Sequence, residues 1–140
     1  MTHIISLAMP FLKVQKSSSV TVLTSSQGLV PDPMSTVMSI SSAMIQQLIQ
    51  CAALEGAYHG VRVNGVAAGI TNTKARMKND MSAAMKLTQA ENTTYLRLAG
   101  QDVPLNGKIA EPDDIAQSLL FLASDDSSFT NGEIICVDGG

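Results

Sequence analysis

Side chains that could do chemistry are few in this 140-residue sequence, and most of them stand alone. Ser25 follows the β-branched run VTVL and precedes Gly28 by three residues. This pattern predicts a hydroxyl at the end of a buried strand, just before a turn. A nucleophilic serine needs a neighbouring base, and this motif lacks one. Ser25 is therefore predicted to form hydrogen bonds and not to act as a nucleophile.

The histidines and the paired acids have simpler interpretations than catalysis. His3 and His59 lie far apart in sequence and have no acidic partner placed for a proton relay, as is typical of surface or turn histidines. Asp113–Asp114 follows a proline at a predicted helix start, where the helix dipole favours acids. Asp125–Asp126 is interpreted as a solvated helix end.

Composition excludes several classes of protein. Hydrophobic residues make up 45%, and charged residues make up 15%, below the usual value of about 25%. The net charge of −3, the pI of about 5.2 and the absence of a basic run argue against a nucleic-acid-binding surface. No apolar stretch reaches the roughly 18 residues that span a membrane.

The compartment is predicted from the N-terminus and the cysteines. The first apolar run has no basic segment before it and no cleavage site after it, so it is not interpreted as a signal peptide. Cys51 and Cys136 lack metal-ligand spacing, and we expect both to be reduced and buried. These features predict a protein of the cytoplasm or of an organelle matrix, with no metal site.

The apolar pattern predicts an α/β fold with parallel strands at 20–24, 61–67 and 133–137 and helices at 1–16, 35–55 and 112–124. Right-handed crossovers would place the strands side by side between two layers of helices, as in part of a Rossmann-like three-layer domain. Residues 1–140 are therefore predicted to be a single partial domain, with an irregular, methionine-rich lobe at 71–107. The first helix has no capping residue ahead of it, so we expect a preceding segment.

The helix predicted at 35–55 has an apolar face too broad for a helix with one side in water. Two neighbouring stripes form this face: Ile40, Met44, Leu48 and Cys51, and beside them Val37, Ile45, Ile49 and Ala52. Met34, Met38 and Met44 could line a ligand groove, but methionines at such spacing are more typical of a core or an interface.

Two segments resemble the short-chain dehydrogenase/reductase family: VRVNGVAAGITNT, residues 61–73, and EPDDIAQSLLFLASDDSSFTNGEIICVDGG, residues 111–140. The resemblance extends over essentially the whole chain and corresponds to the second half of the family's domain. It implies a Rossmann-like sheet that binds NAD(H) or NADP(H). The family's glycine-rich phosphate turn belongs to the first half, and no GxGxxG spacing occurs in this chain.

The resemblance also implies a catalytic set, and two of its members are changed. The family uses a serine on a strand end, then a tyrosine, and a lysine four residues after the tyrosine. Ser25 matches the serine, thirteen residues further on lies Met38 in place of the tyrosine, and four further lies Ser42 in place of the lysine. A thioether has no titratable proton, and a serine has no charge that could lower the pKa of a phenol. Loss of general acid–base catalysis costs about 10²–10⁴-fold in rate.

The nicotinamide contacts implied by the resemblance are partly kept. Gly69, Ile70 and Thr73 match the family's Pro-Gly-x-x-x-Thr segment, with Ala68 in place of the proline. The resemblance assigns the Ile70 backbone to the nicotinamide carboxamide and Thr73 to the pyrophosphate. The alternative is that this turn is retained because it closes the strand.

Three functional interpretations follow. The favoured one is a catalytically inactive pseudoenzyme that acts as a structural subunit of a larger complex, with no cofactor on this chain. The alternative is a fragment or subunit of an NAD(P)-dependent oxidoreductase that acts on a carbonyl or alcohol. A module that senses nucleotide without reaction is the third.

Partners are predicted from the surfaces left open. A first half of the domain, or another protein, is expected to cover the edge of strand 20–24. Helices 1–16 and 35–55 are expected to form an oligomer contact, as in the family.

Overall fold

The computed structural model describes residues 1–31, 35–73 and 100–140. In these ranges the elements are, in chain order, α1 (Thr2–Leu12), β1 (Ser18–Ser25), α2 (Thr36–Ala57), β2 (Val61–Ala68), α3 (Pro112–Ala123) and β3 (Ile134–Val137). Short 3-10 turns follow β1 at Ser26–Gly28 and α3 at Asp125–Ser127. Most of the predicted 71–107 lobe, and Met34, lie outside the described residues.

The strands form one parallel sheet in the order β1-β2-β3, with Ser25 beside Ala68 and Ala68 beside Val137. Helices flank it, so the predicted α/β class and its three parallel strands are confirmed. The parallel register brings the carboxyl ends of all three strands into one row. In the described part of the chain β1 is an outer strand, paired with β2.

The predicted element boundaries are right to within two residues except at the first helix. The helix predicted over 1–16 ends at Leu12, and Lys13 is its C-cap. The Ser18 hydroxyl donates to the Leu12 carbonyl at 3.1 Å, which satisfies one of the carbonyls left open at a helix end. Ser18 and Ser19, which follow this helix end closely, are the first two residues of β1.

The core lies in two clusters, one on each side of the sheet. The larger cluster joins α1 and α2 to β1 and β2 through Ile5, Met9, Val22, Ile49, Ala52, Ala53, Val61 and Val63. The smaller cluster joins α3 to β2 through Val66, Ile115 and Leu122. β2 is the central strand and the most deeply buried one, and its only charged or amide side chains are Arg62 and Asn64.

The end of α3 is held by a cation from β2. Arg62 donates through Nη1 to the Leu122 carbonyl at 3.1 Å and to the Ser127 hydroxyl at 2.7 Å. Its Nη2 donates to the Ser124 carbonyl at 2.9 Å. A guanidinium at this position satisfies open carbonyls and complements the negative end of the helix dipole.

Two asparagines fix the loop between α3 and β3. The fully buried Asn64 donates to the Thr130 carbonyl at 2.8 Å and accepts from the Glu133 N–H at 3.0 Å. Asn131 accepts from the Val63 N–H at 2.9 Å and donates to the Ala53 carbonyl at 3.1 Å. Asn131 therefore links β2 to α2.

The buried side of α2 differs in character between the two halves of the helix. The residues it buries in its first half are polar, namely Ser39, Ser42 and Gln46, while Val37, Ile40 and Met44 are exposed. Ile49 and Ala52 are buried as predicted. By length and composition α2 could cross a membrane, yet here it packs on the sheet. The apolar periodicity therefore identifies the helix but not the side that faces the sheet in its first half.

The expectation that both cysteines are buried is wrong. Cys51 lines the groove between α1 and α2, and its side chain there is exposed to solvent. Cys136 is exposed because it lies on β3, an outer strand of the described sheet.

Candidate functional site

The candidate site lies where the three strands end. Ser25, Ala68 and Val137 occupy one row across the sheet, and the chain turns away from the sheet after each of them. In open α/β sheets, ligands bind in the crevice outside the carboxyl ends of the strands. The row therefore places Ser25 beside the segment that begins at Gly69.

Ser25 is held by the turn that follows it and by α2. Its side-chain oxygen accepts from the Gln27 N–H at 3.2 Å, and its carbonyl accepts from Gln46 Nε2 at 3.0 Å. A Cβ on Gly28 would lie 2.6 Å from Gln46 Nε2 and 2.8 Å from the Ala43 nitrogen. The glycine is thus required because the turn lies directly on α2. The sequence analysis did not identify Gln46. The only indication in the sequence is that Gln46 is a polar residue within an apolar helix.

Met38 and Ser42 lie one helical turn apart on α2. Met38 is 52% exposed, whereas Ser42 is 3% exposed. The Thr24 hydroxyl donates to the Ser42 carbonyl at 3.5 Å, so Ser42 lies beside the strand end that carries Ser25. Neither a thioether nor an aliphatic hydroxyl can act as a general acid near neutral pH.

The turn after β2 is anchored at both ends. The Gly69 N–H donates to the Val137 carbonyl at 2.9 Å, and a Cβ on Gly69 would lie 2.6 Å from the Asp138 Cα. The Ile70 carbonyl accepts from the Ala110 N–H at 3.0 Å, and the Asn72 N–H donates to the Ala110 carbonyl at 2.9 Å. Thr73 ends this described segment. The binding roles of Gly69, Ile70 and Thr73 stay predictions.

A thiol and a carboxylate lie at the end of β3, beside this turn. The Cys136 thiol donates to Asp138 Oδ2 at 3.1 Å, and the Gly140 N–H donates to Asp138 Oδ1 at 2.9 Å. Partial desolvation, and then the hydrogen bond and charge of Asp138, raise the pKa of Cys136 to about 11. The hydrogen bonds from Gly140 and then Cys136 lower the pKa of Asp138. Cys136 is therefore protonated at neutral pH and is not an activated nucleophile.

The remaining polar candidates do not join the site. His3 and His59 are exposed, and Asp113–Asp114 lies in the first turn of α3 as predicted. Asp125–Asp126 begins the short 3-10 turn after α3. Among the residues that the structure describes, no group of three or more His, Cys, Asp and Glu side chains could hold a metal ion.

Two clefts that the described residues form do not include Ser25. One, of about 420 Å³, lies between α1 and α2 and is crossed by the Lys13–Glu55 ion pair at 2.9 Å. The other, of about 330 Å³, lies between residues 103–110 and residues 137–139.

The strand-end residues fit the nicotinamide end of a dinucleotide. Backbone groups of a fixed turn and an uncharged hydroxyl face the same edge of the sheet, which suits a carboxamide and a neutral substrate oxygen. The phosphate-binding glycine turn of such folds is not found in the sequence of this chain.

Comparison with known proteins identifies the family. The family model described as enoyl-(acyl carrier protein) reductase matches residues 1–140. The 3-oxoacyl-[acyl-carrier-protein] reductase FabG of Thermotoga maritima is 30% identical over 138 residues, which are 99% of this chain and 51% of that protein. The 4-formylbenzenesulfonate dehydrogenase of Comamonas testosteroni is 37% identical over 133 residues, which are 95% of this chain and 50% of that protein.

Solved structures agree with this result. A short-chain oxidoreductase from Pseudomonas aeruginosa, described as NADPH-bound with an atypical catalytic centre, superposes with a TM-score of 0.82 and 26% identity. The match covers 99% of this chain and 51% of that one. An aldohexose dehydrogenase from Thermoplasma acidophilum, with a TM-score of 0.88 and 23% identity, covers 96% and 52% and shows the fold alone. The chain spans about half the length of these proteins and belongs to the short-chain dehydrogenase/reductase family.

Proposed function

We propose that this chain forms the nicotinamide-binding half of an NAD(P)-dependent oxidoreductase domain that acts on a carbonyl or alcohol. The observation that carries the proposal is the row Ser25–Ala68–Val137, which sets a hydroxyl beside the anchored turn Gly69–Asn72. The favoured prediction from the sequence, an inactive subunit, becomes the second candidate, because the relatives are reductases and dehydrogenases.

The relatives also support nucleotide binding by a chain with a changed catalytic set. The Pseudomonas aeruginosa protein combines bound NADPH with a catalytic centre that is described as atypical. A changed centre and a bound nucleotide therefore occur together in this family. The replacements Met38 and Ser42 do not by themselves argue against a cofactor.

Each strand end has a proposed role. The Ser25 hydroxyl accepts from the Gln27 N–H, so its own proton can be directed at a substrate oxygen. The Ile70 backbone holds the carboxamide, and Thr73 approaches the pyrophosphate. When bound, the reduced nicotinamide supplies the hydride. α2 supplies no proton donor at Met38 or Ser42, so proton transfer depends on a group outside these positions.

The second candidate is a non-catalytic subunit of an assembly. It is favoured by the burial of Ser42, which is only 3% exposed. A lysine at this position would have to carry its charge out of a buried site at an energetic cost. As it stands, the buried Ser42 supplies no cation to a neighbouring group.

We propose two protein contacts. The outer edge of β1 pairs with a strand from a first half of the domain, which is supplied by the same polypeptide or by another. A second copy of the chain packs on the exposed apolar stripe formed by Ile4, Leu7 and Phe11 of α1 and by Val14 just after it, which recur at three- and four-residue steps. α2 adds Val37, Ile40 and Met44 to this surface.

The compartment is part of the proposal. We place the protein in the cytoplasm or in an organelle matrix. An Arabidopsis thaliana relative, 32% identical over 138 residues, is named as chloroplastic, which is compatible with an organelle.

Titration with NADPH and NADH tests the proposed function. The chain is purified together with whatever partner it retains, and nucleotide binding is followed by the fluorescence of the reduced nicotinamide. We expect saturable binding of one nucleotide per domain. An intact assembly that binds neither nucleotide would overturn the proposal and favour the non-catalytic subunit.

A further inference from the structure

We infer that Asn72 is a positioning residue, which fixes the Gly69–Asn72 turn to the start of α3 through Glu111. The inference rests on the proposed function, because that turn is where the nicotinamide would be held. Asn72 Nδ2 lies 3.2 Å from Glu111 Oε1 and 3.3 Å from Oε2, so the amide is shared between both carboxylate oxygens.

The main chain places these two side chains opposite each other. Thr71 forms a parallel bridge with Ala110, and the Asn72 N–H donates to the Ala110 carbonyl at 2.9 Å. Asn72 follows the bridge on one segment, and Glu111 follows it on the other. The side-chain bond thus extends a main-chain contact by one residue, to the point where α3 begins.

The orientation of the Asn72 amide is set by the carboxylate. Asn72 Oδ1 is buried and has no hydrogen-bond partner among the described residues. Rotating the amide by half a turn would place Oδ1 against the two oxygens of Glu111, which is repulsive. The amide therefore keeps its donor on Glu111 and leaves its acceptor unpaired, although a buried unpaired acceptor is unfavourable.

The main chain of Glu111 is fixed at the start of α3. It is the N-cap of α3, its N–H donates to Asp114 Oδ2 at 2.8 Å, and its carbonyl accepts from the Asp114 N–H at 3.0 Å. Pro112 follows it at the first position of the helix, where the ring restricts the backbone. The turn therefore takes its position from α3, whose other end is held by Arg62.

An exchange of donor and acceptor tests the inference. In Asn72→Asp two carboxylates face each other, so the turn should be pushed away from α3. We expect NADPH affinity to fall about tenfold, since small displacements of a positioning group weaken ligand contacts strongly. The amides of Asn72 and Ala110, which bond the turn to the segment before α3, should exchange hydrogen faster. Adding Glu111→Gln restores a pair with one donor and one acceptor, and should return affinity to within about threefold of the parent.

Matched variants separate positioning from folding. Glu111→Gln alone keeps one acceptor for Asn72 but loses the second oxygen and the charge, so its NADPH affinity should lie between that of the parent and that of Asn72→Asp. The thermal midpoint of every variant is measured alongside. An Asn72→Asp variant with unchanged affinity and unchanged exchange, or a double variant no better than Asn72→Asp, would overturn the inference.

The exchange measurement keeps this inference distinct from the proposed function. If the parent chain binds neither nucleotide, the proposed function fails. Amide exchange at Asn72 and Ala110 without nucleotide then decides the role of Asn72. Faster exchange in Asn72→Asp that is reversed in the double variant supports positioning, and unchanged exchange contradicts it.

Discussion

The side-chain amide of Gln46 donates to the carbonyl of Ser25 at 3.0 Å, across twenty-one residues of sequence. This bond fixes α2, which carries Met38 and Ser42, to the strand end that carries Ser25. The contacts that would position a catalytic set are therefore present, while Met38 and Ser42 stand where the family resemblance predicts a tyrosine and a lysine. The contacts that position the site and the side chains that would transfer a proton can therefore be tested separately.

Rebuilding the catalytic pair tests the chemistry. With Met38→Tyr and Ser42→Lys together, a phenol and an ammonium occupy neighbouring turns of α2. We expect NADPH-dependent reduction of an aromatic aldehyde to rise by about 10²–10⁴-fold over the parent, the usual contribution of general acid–base catalysis. Absorbance of NADPH reports the rate.

The single variants are the controls for that experiment. Met38→Tyr alone should gain much less, because a phenol without a neighbouring cation keeps a pKa of about 10. If the double variant binds NADPH as the parent does but reduces the aldehyde no faster, the absence of a tyrosine and a lysine at these positions does not limit the rate.

The apolar stripe on α1 predicts a change of oligomeric state. Phe11 is 74% exposed, so Phe11→Glu should leave the fold intact and place a charge in the proposed contact. Light scattering should show dissociation into smaller species. Phe129→Glu is the matched control, because Phe129 is 104% exposed but lies in the loop after α3. Equal effects of both substitutions would contradict an interface on α1.

Asn64 should be one of the most stabilising polar residues. Asn64→Ala leaves the Thr130 carbonyl and the Glu133 N–H without their partner in a buried loop. Since each orphaned buried group costs about 1–3 kcal/mol, we expect the free energy of unfolding to fall by about 3 kcal/mol. Urea unfolding measures this change. Gln50→Ala, at an exposed position of α2, should stay within about 0.5 kcal/mol of the parent.

The Cys136 thiol should react slowly for an exposed cysteine. Its raised pKa of about 11 keeps it protonated at pH 8, and only the thiolate is alkylated. The rate with iodoacetamide should therefore keep rising as the pH approaches 11. Asp138→Asn removes the carboxylate charge, lowers the pKa of Cys136 and should speed alkylation at pH 8 about tenfold. Mass spectrometry of the modified peptide gives the rate, and an unchanged rate would contradict the role of Asp138.

Local patterns predicted the elements of this fold well. The β-branched runs and the Pro112 helix start gave strands and a helix within two residues of their observed bounds. The position of Ser25 at a strand end also followed from the sequence, because the Ser-x-x-Gly spacing reflects a turn that lies on α2.

Contacts between distant segments were not predictable in the same way. Gln46, Asn64 and Asn131 act through partners many residues away, so no local spacing reveals them. The exposure of Cys51 likewise depends on which side of α2 faces the sheet. Polar contacts at the end of β1 determine which side of α2 faces the sheet. In the first half of the helix these contacts outweigh the apolar periodicity.

The most direct test of the central claim is amide hydrogen exchange of the purified chain, with its partner, in the presence and absence of NADPH. Nicotinamide binding at the strand ends predicts slower exchange at residues 69–73 with nucleotide. It also predicts loss of this protection in Gly69→Ala, whose added methyl would lie 2.6 Å from the Asp138 backbone. Exchange at residues 69–73 that NADPH leaves unchanged would contradict the account.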